Sequence, residues 1–191
     1  MKEYGEHSNV LKTILKESIR IIIFASIISS LGGLALENIK SIFISLMPLI
    51  ILLPTLNDMI GDYGTIVSST FSTMLHKGEV KKKWWTPEVQ EMFMQIIIVA
   101  GITAFLSATI ALAISKYYGA VIDAVFAFKV FFITIIDVMV LVCLLFITSI
   151  YAGLYYFNKK EDPNNFLIPI TTSIADFGNM IVLTVLIILF F

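Results

Sequence analysis

The chain has 191 residues, of which 58% are hydrophobic and only 14% are charged. Soluble domains carry about 25% charged residues, so this composition is typical of a chain whose solvent is lipid. The net charge of −1 supplies no field that would attract nucleic acid, and a single cysteine, Cys143, excludes a disulfide within the chain.

Residues 1–17 are polar and mixed in charge, and we interpret them as a short cytoplasmic amphipathic lead-in. Residues 18–191 are expected to form one transmembrane domain. A helix needs about 20 mostly apolar residues to cross a hydrocarbon core of ~30 Å. The first such run, 19–36, is longer than the apolar core of a signal peptide, although Ser29 and Ser30 imitate a cleavage site. It predicts the first of five transmembrane helices in an all-α integral membrane protein.

The second segment, 41–75, is predicted to be broken at a turn rich in proline and glycine. Pro48 and Pro54, followed by Gly61 and Gly64, interrupt the apolar pattern. Unwound backbone at membrane depth is tolerated only where it is buried in protein or lines a water-filled cavity. The break therefore predicts a polar passage.

Polar side chains accompany this predicted break. Asn57, Asp58 and Asp62 would place hard oxygen ligands beside exposed carbonyls, and Thr65 and Ser69 continue the polar stripe at helical spacing. The alternative is a simple kink whose hydroxyls bond their own backbone.

The third and fourth segments, 92–115 and 125–157, carry one notable acid. Asp137 lies in the fourth, one turn after Thr134. It is either an accessory site for an ion or a proton, or a carboxyl hydrogen-bonded between helices, and the sequence leaves both open.

The fifth segment, 166–191, places Asp176 near the middle of the membrane. A carboxylate there costs roughly 2.5–3.5 kcal/mol, and no Lys or Arg in the spans is placed to pair with it. Asn165, Thr172, Asp176 and Asn179 recur on one helical face. This stripe predicts one wall of a wet passage; the alternative is a protonated acid hydrogen-bonded to a neighbouring helix.

Lysine and arginine set the predicted orientation. Ten of the thirteen would be cytoplasmic if the N-terminus is inside, and three, Lys40, Lys116 and Lys129, would be outside. The positive-inside rule then predicts a multi-pass cell-membrane protein with a cytoplasmic N-terminus and an outer C-terminus.

The candidate ligands are all oxygens, which suit Mg²⁺, Ca²⁺ or Mn²⁺ rather than zinc or copper. Mg²⁺ keeps several waters and needs only one or two carboxylates, so it fits a wide passage with sparse aspartates. The sequence does not exclude Co²⁺ or Mn²⁺ as the transported ion. A homodimer with a two-fold axis along the membrane normal would place two Asp176 carboxylates opposite one another, balancing one divalent ion.

Two stretches resemble the membrane domain of MgtE magnesium transporters and their eukaryotic relatives. One is PLIILLPTLNDMIGDYGTIVSSTFSTMLHKG at 48–78, and the other is DPNNFLIPITTSIADFGN at 162–179. The resemblance implies a dimeric Mg²⁺ pore lined by the second and fifth helices, with Asp176 as its central carboxylate and a backbone carbonyl near Thr172. Where the family pattern has Gly-Gly-Asn, this chain has Ile60, Gly61 and Asp62, and Asp58 adds a further charge.

Two rival functions are weighed beside a channel. Asp137 would favour a carrier coupled to H⁺ or Na⁺. An intramembrane aspartyl protease would need two close aspartates, but Met59 stands where its signature requires glycine. We therefore expect no enzymatic activity.

Overall fold

The computed structural model describes residues 7–80 and 84–191, and these two ranges contain helices and no strand. The helices are α1 (His7–Asn38), α2 (Lys40–Ser45), α3 (Met47–Lys77), α4 (Pro87–Tyr117), α5 (Ala124–Asn158) and α6 (Asn164–Phe190). Residues 7–17 of the predicted lead-in belong to α1, and residues 1–6 lie outside the described part of the chain.

Within the part of the chain that the structure describes, four helices are long and apolar enough to cross a membrane: α4, α5, α6 and the Ile21–Asn38 portion of α1. Helix α3 has the same length as α4, 31 residues, but it carries Asp58 and Asp62. Length and composition thus define a multi-pass membrane protein with one unusually polar long helix.

The predicted break in the second segment is wrong, because α3 runs through Pro54, Gly61 and Gly64 without interruption. A proline inside a helix removes one backbone hydrogen bond, and neighbouring helices compensate for this in membranes. Gly64 is a packing position: a β-carbon there would lie 3.0 Å from Cβ of Thr171 on α6. The glycines thus allow close approach of helices and do not unwind the chain.

The chain instead breaks upstream, at Leu46. Its backbone angles (φ −100°, ψ 68°) are not helical, and they separate α2 from α3. Pro48 lies in the first turn of α3, where a helix does not need its missing N–H. Proline therefore starts this helix.

Helices α3, α5 and α6 form the centre of the fold, with α4 against α3 and α5, and α1 against α6. A buried hydroxyl network joins the central three: Ser68 bonds Ser149 at 3.1 Å and Thr171 at 3.4 Å. Helix α4 contributes a row of buried small residues, Ala100, Ala104, Ala108 and Ala111. Small residues at such interfaces let helices pack closely in lipid.

Contacts between helices fix their directions. Ser173 donates to the Ala25 carbonyl at 3.1 Å, and a β-carbon on Gly32 would lie 3.0 Å from Sδ of Met180, so α1 and α6 run parallel. Helix α3 runs antiparallel to α6, because Asn57 contacts Asn179, whereas Ser68, later in α3, contacts Thr171, earlier in α6. The start of α1, the α3–α4 connection and the α5–α6 connection consequently lie at the same end of the molecule.

Candidate functional site: a polar cleft between α1 and α6

A cleft of about 520 Å³ opens between α1 and α6. Its lining comprises Ile22, Ala25, Ser26, Ser29, Ile168, Pro169, Thr172, Ser173 and Asp176. The α1 residues recur every three or four positions, and so do those of α6, so each helix presents one continuous face. The cleft combines hydroxyl groups with one carboxylate at the middle of α6.

Asp176 is half-buried at this cleft. The Ser29 hydroxyl of α1 and the Asp58 carboxylate of α3 are close enough to Asp176 to interact with it electrostatically. Ser29 lines the cleft together with Asp176, whereas Asp58 lies outside the lining. No cationic side chain among residues 21–80 and 84–191 forms an ion pair with Asp176.

Thr172 lies one turn before Asp176 and also lines the cleft. Its hydroxyl donates to the carbonyls of Ile168 at 2.9 Å and Pro169 at 3.2 Å. The hydroxyl hydrogen is thus used within α6, while the oxygen keeps a lone pair that can accept a hydrogen bond or bind a cation.

Asp58 and Asp62 lie one turn apart on the exposed face of α3. Thr65 and Ser69, the predicted continuation of this stripe, donate to the carbonyls of Gly61 at 3.1 Å and Ile66 at 3.2 Å. These two hydroxyls therefore bond the backbone of their own helix, as the alternative interpretation of this segment predicts. The two carboxylates make no ion pair within the described part of the chain.

Asn57 and Asn179 form a pair between α3 and α6, with the Asn179 amide donating to Asn57 Oδ1. Asn179 is fully buried, and its own side-chain oxygen has no hydrogen-bond partner among the described residues. It therefore faces α3, whereas Thr172 and Asp176 of the same predicted stripe face the cleft.

Asp137 does not line the cleft. It is fully buried on α5. Among the side chains of residues 21–80 and 84–191, no three His, Cys, Asp or Glu groups converge on a common point. The acids are thus distributed over three places: the cleft, the exposed face of α3 and the interior of the bundle.

The sequence alone did not predict that α1 lines one side of the cleft. Ser29 was considered only as part of a possible cleavage site, and Ser26 was not considered. The available signal was the spacing of Ser26 and Ser29, which places both on the same side of an otherwise apolar helix as Ile22.

The family model described as MgtE, divalent cation transporter, matches residues 53–186. No curated protein and no solved structure matches the chain significantly. The matched range contains Asp58, Asp62, Asp137 and Asp176, while α1 precedes it. The family is one of transporters and not of enzymes. Since the match covers more than half of the sequence, this chain belongs to the MgtE family of divalent cation transporters.

Proposed function

We propose that two copies of this chain form a homodimer through which Mg²⁺ crosses the cell membrane, with Asp176 as the central carboxylate of the path. The single observation that carries the proposal is the position of Asp176: it opens onto a polar cleft halfway along a membrane helix. An acid at that depth without a cationic partner is costly unless water or an ion reaches it.

A Mg²⁺ ion that keeps part of its hydration shell fits the chemistry of the cleft better than an ion that has lost its water. Mg²⁺ retains several waters and binds through one or two carboxylates. The cleft of about 520 Å³ has room for such waters, each of which occupies about 30 Å³. Ser26, Ser29 and Thr172 supply hydroxyl oxygens for the hydrated ion. Mn²⁺, Co²⁺ and Ca²⁺ are the competing ions to compare.

The exposed face of α3 supports a dimer. Asp58 and Asp62 would face lipid in a single copy, at a cost of a few kcal/mol each. A second copy related by a two-fold axis would cover this face with its own α3 and gather both pairs of acids around the path. The Asn57–Asn179 pair would hold α3 against α6, and Thr65 and Ser69 would be accessory groups on the same wall.

The distribution of positive charge supports an inward N-terminus. Of the nine Lys and Arg residues within residues 7–80 and 84–191, Lys40, Lys116 and Lys129 lie at one end of the molecule. The other six lie toward the end that holds the start of α1, the end of α3 and the α5–α6 connection. The positive-inside rule places this end in the cytoplasm and the end of α6 outside. In this arrangement all five long helices cross the membrane, and residues 18–191 form the transmembrane domain.

Flux through purified protein tests the role of Asp176. Wild-type protein in liposomes with a trapped Mg²⁺ indicator is expected to admit Mg²⁺, and Asp176→Asn is expected to lose nearly all of this flux. Glu91→Gln, an exposed acid on α4, is the matched control and retains wild-type flux. Wild-type rates in Asp176→Asn would remove Asp176 from the path.

Cross-linking tests the dimer face. In a Cys143→Ser background, Ile66→Cys places a thiol one turn beyond Asp62 on the exposed side of α3, where the side chain is 49% exposed. We expect this variant to form a disulfide-linked dimer in membranes. Ile98→Cys, 56% exposed on α4, is the control that should stay monomeric. The opposite pattern would place the interface on α4.

A further inference from the structure

We propose that Asp137 is a proton-binding site whose protonation is coupled to cation transport. The inference rests on the proposed function and deepens it, because it assigns a second ion to the same transport cycle. It also concerns a position within α5, on a helix that contributes nothing to the cleft.

The surroundings of Asp137 favour its neutral form. The residue is 0% exposed, and neither carboxylate oxygen has a hydrogen-bond partner among residues 21–80 and 84–191. An isolated buried carboxylate is strongly disfavoured unless it is paired or protonated. In this conformation the site therefore holds a proton.

No neighbouring charged side chain pairs with Asp137 in a way that would stabilise its ionised form. Helices α3, α4 and α6 pack against α5, and their ionisable side chains are Asp58, Asp62, Tyr63, His76, Lys77, Glu88, Glu91, Lys116, Tyr117 and Asp176. None of them forms an ion pair or hydrogen bond with Asp137. On α5 itself, Lys129 is eight residues away, about 12 Å along the axis, and donates to the Phe190 carbonyl at 2.7 Å.

The seam between α5 and α6 links this proton to the cleft. Leu141, one turn after Asp137 on the same side of α5, fills the space beside Gly178 of α6. Gly178 belongs to the helix that carries Asp176 but lies on a different face of it, because two residues along a helix turn through about 200°. Beyond Gly178, the next turn of α6 offers the apolar Ile181 and Val182. Separation of α5 from α6 along this seam would open a route for water toward Asp137, and it would displace the helix that carries Asp176.

In the resulting cycle, Asp137 releases one proton and takes up one proton. With the seam open, the Asp137 O–H bond breaks and the proton passes to water, leaving a carboxylate that the incoming water solvates. Before the seam closes, the carboxylate takes a proton from hydronium that arrives from the opposite side of the membrane, so that the O–H bond forms again and the seam closes around a neutral acid. Proton release and movement of the cation site are thus two parts of one conformational change.

The test measures protons and Mg²⁺ together. Wild-type protein in liposomes containing a pH-sensitive dye, with the membrane potential clamped, is expected to move protons when a Mg²⁺ gradient is imposed. Asp137→Asn, a neutral residue of similar shape, should abolish the proton signal and flatten the pH dependence of any remaining Mg²⁺ flux. Thr134→Val, a buried change one turn earlier on α5, is the control and should preserve both.

Several outcomes would overturn the inference separately from the proposed function. Wild-type Mg²⁺ flux without proton movement, together with an unchanged pH profile in Asp137→Asn, leaves the transporter intact and removes the coupling. Infrared difference spectra give a readout independent of flux: wild type at neutral pH should show a protonated-carboxyl band that Asp137→Asn lacks. Absence of that band would mean that Asp137 is ionised and the inference is wrong.

Discussion

Leu141 of α5 occupies the space beside Gly178 of α6 so closely that a β-carbon on the glycine would lie 2.6 Å from the leucine Cδ2 atom. Ordinary side-chain contacts are longer than that, so a residue with a β-carbon at position 178 would force the Leu141 side chain to move. The contact joins the helix of the buried acid, one turn from Asp137, to the helix that carries Asp176.

Gly178→Ala is expected to destabilise the protein by about 1–3 kcal/mol, because the added methyl group overpacks the seam. Thermal unfolding in detergent, followed by size-exclusion chromatography, measures the change. Gly33→Ala is the matched control: nothing lies within 4 Å of its added carbon, and alanine is the better helix former. Because Leu141 is buried, Leu141→Ala is itself destabilising, but the double variant with Gly178→Ala should lose less stability than the sum of the two single changes. Equal effects of the two glycine changes would contradict the close packing.

Ser29→Ala is expected to weaken the apparent affinity for Mg²⁺ roughly tenfold, because the Ser29 hydroxyl lines the cleft beside Asp176 and can hydrogen-bond a water of the ion, and a hydrogen bond to a charged group contributes about 1.5–3 kcal/mol. Ser30→Ala removes a neighbouring hydroxyl that bonds the Ser26 carbonyl, and it should behave as wild type. The dependence of liposome uptake on Mg²⁺ concentration separates the two. An unchanged affinity in Ser29→Ala would mean that α1 does not line the path.

Asp58→Asn is expected to raise the half-saturating Mg²⁺ concentration roughly fivefold, because a nearby unit charge in a hydrated site contributes about 1 kcal/mol of attraction. The effect should shrink as salt is raised, since ions screen exposed charges. Uptake at two ionic strengths measures it. A change that is independent of salt would argue against an electrostatic role.

Asp62→Asn restores the residue of the family pattern and is expected to retain Mg²⁺ transport. Its effect should instead fall on selectivity, with altered ratios of Mg²⁺, Mn²⁺, Co²⁺ and Ca²⁺ uptake. Competition among these ions in the same liposome assay measures the ratios. Complete loss of transport would assign Asp62 an essential role that its exposed position on α3 does not suggest.

The Asn57–Asn179 pair distinguishes a structural role from ion binding. Either single change to leucine leaves the other amide without its partner and should cost about 1–3 kcal/mol. The double variant should cost less than the sum of the singles, as expected for residues in contact. Transport retained in the folded double variant would make the pair a structural contact between α3 and α6, whereas its loss would make these amides ligands.

Much of the architecture followed from the sequence, because lipid imposes simple rules on composition. Runs of about 20 apolar residues and the rarity of charge identified the membrane helices, and the isolation of Asp176 in such a run singled it out. The resemblance to MgtE transporters rested on local motifs, and the family match confirms it.

The continuity of α3, the α1 wall and the separation of the acids depended on the tertiary structure. Proline and glycine have the same local preferences whether a helix breaks or packs closely, and only the position of Thr171 against Gly64 decides between these outcomes. The periodicity that grouped Asn179 with Asp176 specifies one face of one helix. Which neighbour covers each part of that face is decided by how α1, α3 and α5 pack around it, and this packing depends on contacts between residues far apart in the chain.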